Sequence, residues 1–381
     1  MNRSSWATAV LLAGAAFSQS VTQSDAPPRA RSYRTPVPAA RKVFPIGKPV
    51  AIPAPLGLPP VPIPADNPPT AETIALGRKL FFDKLFSRDN SISCASCHDP
   101  KFAMADPRQF SLGVGGAPGT RNAPAVVNAV FNNTQFWDGR AVSLEQQAEG
   151  PTANPVEFQH SLVGVERRLN ADPNYVALFE RAWGPGPITY EMVEKSIASY
   201  ERTLVAGNSP FDRYYYGGDT TALSASAIRG LKLFLNPSLN GPSCVSCHRI
   251  DPQFATFTDV RFHNTGIAWD PVAQAMKDIG RQAVAPNERG IQTIGAFKPP
   301  TLRNIALTAP YQHDGSMKTL EEVVDFYFQG GRKNPSLSQD MPRLPFEASI
   351  VPPGTEAQAK ADIVEFLKAL TSDPPEGASA P

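Results

Sequence analysis

The sequence predicts a mainly α-helical fold of two similar domains with long loops, preceded by a proline-rich extension. Apolar residues recur at helical spacing in several segments, and one series of short motifs occurs twice in the same order. We find no convincing run in which apolar and polar residues alternate as in a half-buried strand. With 381 residues the chain can form two domains of ordinary size.

The N-terminus is typical of a secretory signal that ends at residue 18. Arg3 supplies the positive charge, an apolar stretch runs from Trp6 to Phe17, and Ala16 and Ser18 are small residues at a plausible cleavage site. An uncleaved membrane anchor is the alternative. We therefore expect an exported, periplasmic protein with no membrane span in the mature chain, because no later segment is apolar enough to cross a bilayer.

Residues 19–69 form the proline-rich extension, and 14 prolines fall between residues 27 and 69. Proline fixes one backbone angle and removes a hydrogen-bond donor, so this stretch cannot form a regular helix or a central strand. We expect an extended tether or a strap on the surface.

The repeated plan divides the rest of the chain into a first domain at 70–222, a second at 223–372 and a tail at 373–381. Each domain begins with an amphipathic helix that contains Gly-x-Lys-Leu-Phe, predicted at 72–83 and at 225–235. The expected buried faces consist of Ile74, Leu80 and Phe81 in the first helix and Ile228, Leu231 and Phe234 in the second.

A second pair of motifs supports an internal duplication. Asp-Gly is followed after three residues by Ser143 in the first half and by Thr319 in the second, and each hydroxyl residue is expected to cap a helix. An Arg-Asn pair precedes each motif, at 121–122 and at 303–304. A last amphipathic helix is predicted at about 356–370.

The motif Cys-x-x-Cys-His occurs twice, at 94–98 and at 244–248. Two thiols at this spacing can add to the two vinyl groups of one haem, and the histidine then reaches the iron. Zinc binding and a thioredoxin-like redox pair are the alternatives, and two copies in an exported chain favour haem. We therefore expect two covalently bound haem c groups, held by Cys94, Cys97, His98, Cys244, Cys247 and His248.

The opposite face of each iron decides between electron transfer and reaction with peroxide or oxygen. In a predicted helix of the second half, Tyr327 lies on the same apolar face as Leu320. The duplication places Pro151, which has no side-chain donor atom, at the corresponding position of the first half. We expect Tyr327 to ligate the second iron, with Met317 as the rival ligand, and the first iron to lack a sixth ligand.

The chain resembles the bacterial di-haem cytochrome c peroxidases and, within them, the MauG-like branch. The resemblance covers about residues 70–372 and rests on S-C-A-S-C-H-D-P, Q-F-W-D-G-R, L-E-Q-Q-A-E-G-P and K-P-P-T-L-R-N-I-A-L-T-A-P-Y-Q-H-D-G. It implies two cytochrome c-like domains with a calcium ion between them. It also implies an N-terminal haem that reacts with hydrogen peroxide and a C-terminal haem that transfers electrons.

The resemblance implies roles for single residues. Trp137 is expected between the haems, where it assists electron transfer, and Gln147 and Glu157 are expected to line the peroxide site as catalytic residues. Glu149 is a rival for the carboxylate that transfers the proton. The expected ligands of one Ca²⁺ are Asn122, Thr308 and Pro310, the latter two through their backbone carbonyls.

Three positions depart from the pattern of relatives. Ordinary peroxidases of this family carry a histidine in the loop after the first haem motif, where this chain has Val114, and a methionine where it has Tyr327. A phenolate stabilises oxidised iron, so Tyr327 makes the chain similar to the MauG-like branch. The MauG maturase uses a surface tryptophan toward its protein substrate, and this chain has Pro242 there.

The first functional hypothesis is a peroxidase that reduces hydrogen peroxide with electrons from a small redox protein, either a cytochrome c or a cupredoxin. One alternative is a MauG-like oxidase that modifies a partner protein by long-range electron transfer. The other is a di-haem electron carrier without catalysis. The formal net charge of +1 gives no reason to expect nucleic acid or an anionic membrane as a partner.

Overall fold

The computed structural model describes residues 43–235, 244–286, 288, 293–339, 341, 351 and 354–380. The expected secretory signal, the first part of the proline-rich extension and Pro242 lie outside the described residues. The domain limits at 70–222 and 223–372 stay predictions. Within the described part of the chain, no helix combines the length and the apolar character that crossing a membrane requires.

The described residues are mainly helical, as predicted, and long loops with short 3₁₀ turns connect the helices. The α-helices are α1 (Ala71–Phe82), α2 (Leu144–Ala153), α3 (Leu162–Ala171), α4 (Pro173–Trp183), α5 (Tyr190–Glu201), α6 (Pro210–Tyr215), α7 (Ala225–Leu235), α8 (Cys244–Cys247), α9 (Leu320–Phe328) and α10 (Glu356–Lys368). Two short antiparallel strands, β1 (Trp269–Asp270) and β2 (Ala275–Met276), form a hairpin.

Each repeat is built on a close crossing of two helices. In the first, α1 packs against α5, and an added Cβ on Gly77 would overlap the carbonyl oxygen of Ser196. In the second, α7 packs against α10, and an added Cβ on Gly230 would overlap the carbonyl oxygen of Asp362. The two glycines of the repeated motif therefore serve the same purpose, since only a residue without a side chain lets the backbones approach so closely.

Two hydrophobic cores form around these crossings. The first contains Leu80 and Phe81, and the second contains Leu231 and Phe234, so four of the predicted buried residues are confirmed. Ile74 and Ile228 are only half-buried. The sequence pattern favoured them because it marks an apolar stripe, whereas the crossing at the glycine decides which part of that stripe is covered.

Each end of the first helix lies one residue earlier than predicted. Helix α1 covers residues 71–82 because Thr70 caps it, accepting a hydrogen bond from the backbone N–H of Thr73. Ser143 and Thr319 cap α2 and α9 as predicted, by accepting from the N–H groups of Gln146 and Glu322. The last helix ends at Lys368 rather than near residue 370.

The structure corrects one pairing within the repeat. Asn304 corresponds to Asn128 and not to Asn122, because both Asn128 and Asn304 have left-handed backbones and precede a 3₁₀ turn. The backbone N–H of Asn128 donates to Leu204, just after α5, and that of Asn304 donates to Leu370, just after α10. The Arg-Asn pair at 121–122 therefore resembles the pair at 303–304 in sequence only and does not occupy the equivalent position in the fold.

Residues 43–69 form a strap that contacts both halves of the described chain. The N–H of Ile46 donates to the carbonyl of Ala182 at the end of α4. Further along, the carbonyl of Gly57 accepts from the guanidinium of Arg303 and from the N–H of Ala255, both in the second half. The described part of the proline-rich extension therefore lies against both halves of the described chain.

Candidate haem sites and the cavity between them

His98 is held in one orientation by the chain that follows it. Its Nδ1 lies 3.1 Å from the carbonyl oxygen of Met104. Because a carbonyl only accepts, Nδ1 carries the proton and Nε2 remains as the ligand atom. Met104 is fully buried and has a left-handed backbone with φ of 61°. That conformation costs a residue other than glycine about 1–3 kcal/mol, so the surrounding core maintains it.

His248 repeats this arrangement in the second half. Its Nδ1 lies 2.9 Å from the carbonyl oxygen of Phe257, which is also fully buried and left-handed, with φ of 53°. Burial lowers the pKa of both histidines, so both rings favour the neutral form that binds iron. Each motif therefore presents a neutral imidazole with Nε2 available.

A cavity of about 630 Å³ connects the two histidines and is lined by residues of both halves. Most of its lining is apolar. Nearly all of the predicted site residues contribute to its wall, namely Cys94, Cys97, His98, Asn122, Trp137, Gln147, Glu157, His248, Thr308, Pro310 and Tyr327. Cys244 and Cys247 lie in α8, directly before His248, and do not line this cavity.

The cysteines fit covalent attachment of haem. Cys94, Cys97 and Cys244 are half-buried and are not in disulfides. Burial raises the pKa of all three thiols, that of Cys244 to about 11, so they are neutral thiols in the chain without a bound metal. Neutral thiols beside a large apolar cavity and an oriented histidine are the donor set that a thioether-linked haem requires.

Glu157 is positioned by a loop that packs on its backbone. The N–H of Val114 donates to the carbonyl of Glu157 at 2.9 Å, and Asn154 donates from Nδ2 to Glu157 Oε1 at 2.8 Å. Burial raises the pKa of Glu157, and the Arg140 guanidinium partly opposes the rise. The place expected to hold a histidine in other peroxidases is thus occupied by a buried valine whose backbone is hydrogen-bonded to the backbone of Glu157.

The two candidate glutamates, Glu157 and Glu149, differ in their access to the cavity. Gln147 and Pro151 line the cavity, whereas Glu149 is not among its lining residues. Glu149 instead interacts with Glu194 of α5, and burial together with this neighbouring carboxyl group raises the pKa of Glu194 to about 8. The geometry therefore favours Glu157 over Glu149 as the carboxylate near the first haem.

The second haem site has an oxygen donor at the position that Pro151 occupies in the first. Tyr327 lies on α9 and lines the cavity, and burial raises the pKa of its hydroxyl. Met317 packs against the second core, 3.8 Å from Gln312 Nε2, and is not among the lining residues. The arrangement favours Tyr327 over Met317.

Trp137 lies where the two halves exchange hydrogen bonds. The N–H of Asn122 donates to the carbonyl of His313 at 2.8 Å, and the N–H of Lys298 donates to the carbonyl of Trp137 at 2.9 Å. These two bonds are equivalent in the repeat. The residue offset between the two donors, Asn122 and Lys298, is the same as that between the two acceptors, Trp137 and His313. The indole Nε1 of Trp137 also donates to the carbonyl of Asn122 at 2.8 Å, which fixes the ring at the junction.

The expected calcium ligands are oxygen atoms near this junction. Asn122 donates from Nδ2 to the carbonyl of Arg108 at 2.9 Å, which leaves its amide oxygen as the atom that could face a cation. Among the described residues, the one group of acidic, histidine and cysteine side chains close enough to share a metal consists of Cys247, Asp259 and His263. Of these three residues, only Cys247 belongs to the second haem motif.

Three residues of the cavity wall were not anticipated. Arg140 ends the Q-F-W-D-G-R motif, and its guanidinium lies 3.5 Å from the ring centre of Phe136. Burial lowers the pKa of Lys298 to about 8 and raises that of Glu201 to about 8. Glu201 Oε2 is buried and has no hydrogen-bond partner. The motif could have indicated Arg140, but no local pattern marks the other two.

A helical fold with two Cys-x-x-Cys-His motifs facing one cavity defines a di-haem c-type protein. The family model of di-haem cytochrome c peroxidases matches residues 71–221. The chain is 40% identical over 315 residues to the methylamine utilization protein MauG of Methylorubrum extorquens, which covers 82% of each chain. It is 35% identical to the cytochrome c551 peroxidase of Nitrosomonas europaea, over 83% of this chain and 84% of that protein.

A solved structure gives the same result. The fold is similar to that of a MauG-like protein associated with microbial copper homeostasis, with a TM-score of 0.71 and 31% identity over 85% of this chain and 96% of that one. The chain therefore belongs to the di-haem cytochrome c peroxidase family, and membership of this family implies two haem c groups. It is an oxidoreductase of the class that acts on peroxide.

Proposed function

We propose that this protein reduces hydrogen peroxide at its first haem site and receives the electrons through the second. The observation that carries the proposal is the difference between equivalent positions of the two repeats. Pro151 lines the first site without a donor atom, and Tyr327 offers an oxygen at the second. One exchangeable iron and one capped iron are what a peroxidase with a separate electron-transfer centre needs.

When bound, haem supplies the iron that exchanges electrons with peroxide. Cleavage of the O–O bond also requires a proton to move from the inner to the outer oxygen. Glu157, held by Asn154, is placed to accept that proton and return it. Gln147 has an amide that can orient the peroxide, and the apolar wall excludes bulk water from the transfer.

Trp137 is the candidate bridge for electrons between the two sites. Its ring centre lies 6.4 Å from that of His313, its equivalent in the repeat, and His313 stacks on Phe297 at 3.7 Å. The hydrogen bonds of Trp137 to both halves support a fixed distance between the sites. A calcium ion at Asn122, Thr308 and Pro310 would brace the same junction and forms part of the proposal.

The partners follow from this function. The electron donor is a small redox protein, a cytochrome c or a cupredoxin, and the compartment is the periplasm. A second candidate is the oxidation of a partner protein, which Tyr327 and the MauG relatives favour. Steady oxidation of a reduced cytochrome supports the peroxidase, whereas a long-lived oxidised state without such turnover supports the oxidase.

The test is spectroscopy of the ferric holoprotein before and after one equivalent of hydrogen peroxide. We expect one high-spin and one low-spin haem, and a rapid spectral change after peroxide. Glu157→Gln should slow this change by about 10²–10⁴-fold, because the positioned proton acceptor is lost. Glu149→Gln, on the same stretch of chain but outside the cavity, is the matched control and should react at the wild-type rate.

Two results would contradict the proposal. If both haems are low-spin and their spectra do not change with peroxide, the protein is an electron carrier and not a peroxidase. An unchanged rate in Glu157→Gln would remove the assigned proton transfer while leaving peroxide reduction intact.

A further inference from the structure

We propose that Tyr215 is the surface end of an electron path that leads from the second haem site to solvent. The inference rests on the proposed function, because peroxide supplies the oxidant. Its basis is a series of three aromatic rings, Phe257, Phe211 and Tyr215, which we term the ring series. It starts at the residue that orients His248 and ends at an exposed phenol.

The inner residue of the ring series, Phe257, is hydrogen-bonded through its backbone to His248, the expected iron ligand. The carbonyl of Phe257 accepts the Nδ1–H of His248 at 2.9 Å. The Phe257 ring packs edge-on against Phe211, with ring centres 5.3 Å apart, and both rings are fully buried. The path from His248 to α6 thus consists of one hydrogen bond, the Phe257 residue and the contact of two buried rings, and electrons tunnel better through bonded and packed atoms than across gaps.

The outer end of the ring series reaches solvent through one turn of helix. Phe211 and Tyr215 are four residues apart on α6, so their side chains share a face and stack with ring centres 5.2 Å apart and planes at 24°. Tyr215 is 41% exposed. An oxidisable ring thus lies at the surface at the end of two rings that resist oxidation.

Tyr216 is a poorer end point than Tyr215. Its ring packs edge-on against both Phe211 and Tyr215, but its hydroxyl donates to the carbonyl of Asp251 at 2.8 Å. A phenol loses its proton when it is oxidised, and a backbone carbonyl is a poor acceptor for that proton. Tyr215 can release its proton to water.

Reduction of hydrogen peroxide to two waters takes two electrons and two protons. Tyr215 supplies one electron, which moves inward along the ring series, and the bound haem groups supply the other. The O–H bond of Tyr215 breaks as its electron leaves, its proton passes to water, and water supplies the two protons that peroxide takes up. An external donor then returns two electrons, one to the haem groups and one to the phenoxyl oxygen, which regains a proton from water.

Within the described residues, the first haem site has no equivalent of this outlet. Met104 occupies the place of Phe257, and the rings near His98 run from Phe81 to Tyr200. Tyr200 is 1% exposed and donates its hydroxyl to the carbonyl of Gly377. That series ends inside the protein, so the asymmetry favours the second haem as the side that communicates with the surface.

The experiment is freeze-quench electron paramagnetic resonance of the holoprotein after one equivalent of peroxide, with no donor present. We expect a tyrosyl radical whose hyperfine pattern changes when ring-deuterated tyrosine is incorporated. Tyr215→Phe should reduce that signal at least tenfold. Tyr214→Phe is the matched control, because it removes a neighbouring phenol that is not part of the ring series, and it should retain the signal.

A second readout does not depend on radical yield. Excess peroxide without donor should join wild-type molecules through dityrosine, and peptide mapping should place the cross-link at Tyr215. An undiminished radical in Tyr215→Phe, or a cross-link elsewhere, would overturn the inference while rapid haem oxidation still supports peroxide reduction. Haem spectra that do not respond to peroxide would overturn both proposals.

Discussion

At the residue scale, single differences between equivalent positions distinguish the two haem sites. Pro151 and Tyr327 are equivalents, as are Trp137 and His313. The sequence motifs led to the predictions that both histidines and Tyr327 ligate iron, and these stay predictions. They did not reveal the carbonyls of Met104 and Phe257 that orient the histidines, because neither position carries the glycine that usually marks a left-handed backbone.

Replacing Tyr327 with methionine tests the ligand of the second iron. A phenolate stabilises ferric iron and a thioether stabilises ferrous iron, so Tyr327→Met should raise the reduction potential of the second haem. Spectroelectrochemical titration measures both potentials. Met317→Leu is the control and should leave them unchanged. Equal potentials in wild type and Tyr327→Met would show that Tyr327 is not the ligand.

Glu201 makes stability depend on pH in a direction set by its burial. Burial raises its pKa from 4.5 to about 8, so the folded protein keeps a proton that the unfolded chain loses near 4.5. Across that window the unfolded state binds fewer protons, and the free energy of unfolding falls as the pH rises.

Glu201→Gln should therefore flatten this slope. Each pKa unit corresponds to about 1.4 kcal/mol. Between pH 5 and pH 8 the free energy of unfolding should therefore fall by a few kcal/mol more in the wild type than in the variant. Denaturant unfolding at several pH values measures the difference. Glu365→Gln, at an exposed carboxylate of α10, is the control. Parallel curves for wild type and Glu201→Gln would refute the assignment.

At the element scale, the helix crossings limit what sequence patterns can predict. The repeated Gly-x-Lys-Leu-Phe motif indicated α1 and α7 with nearly correct ends. It could not indicate that Gly77 meets Ser196 or that Gly230 meets Asp362, because those contacts depend on how distant helices pack. For the same reason Ile74 and Ile228 are less buried than their spacing suggested.

Alanine at Gly77 separates helix propensity from packing. Within an exposed helix, glycine to alanine stabilises by about 1 kcal/mol. At Gly77 the added methyl group overlaps a backbone carbonyl, so we expect Gly77→Ala to destabilise by about 1–3 kcal/mol, measured by denaturant unfolding. Gly164→Ala in α3 is the control, since there the nearest atoms belong to the movable side chains of His160 and Ser161. A stabilised Gly77→Ala would contradict the close crossing.

At the scale of the whole molecule, the two repeats meet through paired hydrogen bonds around Trp137 and His313. The internal duplication could be predicted from the order of the motifs. The single cavity that reaches both histidines could not, because it depends on how the repeats pack against each other. Lys298 and Glu201 belong to its wall only through that packing.

Trp137→Phe tests whether this junction carries electrons. The variant keeps an aromatic ring but loses the indole N–H that holds Asn122, so electron exchange between the haems should slow while peroxide binding persists. Stopped-flow spectroscopy of the half-reduced protein measures the exchange. Trp183→Phe is the control, because it loses a similar buried indole bond, to Ser196, away from the cavity. Equal exchange rates in both variants would exclude Trp137 as the bridge.

The strap has a consequence for biogenesis. Gly57 and Arg303 are separated by 246 positions, yet their contact secures the strap to the second half. Synthesis proceeds from the N-terminus, so residue 57 emerges long before its anchor exists. Both Cys-x-x-Cys-His motifs lie between these two positions in the chain. The strap can thus dock on the second half only after both attachment motifs have left the ribosome, which makes this contact a late step of maturation.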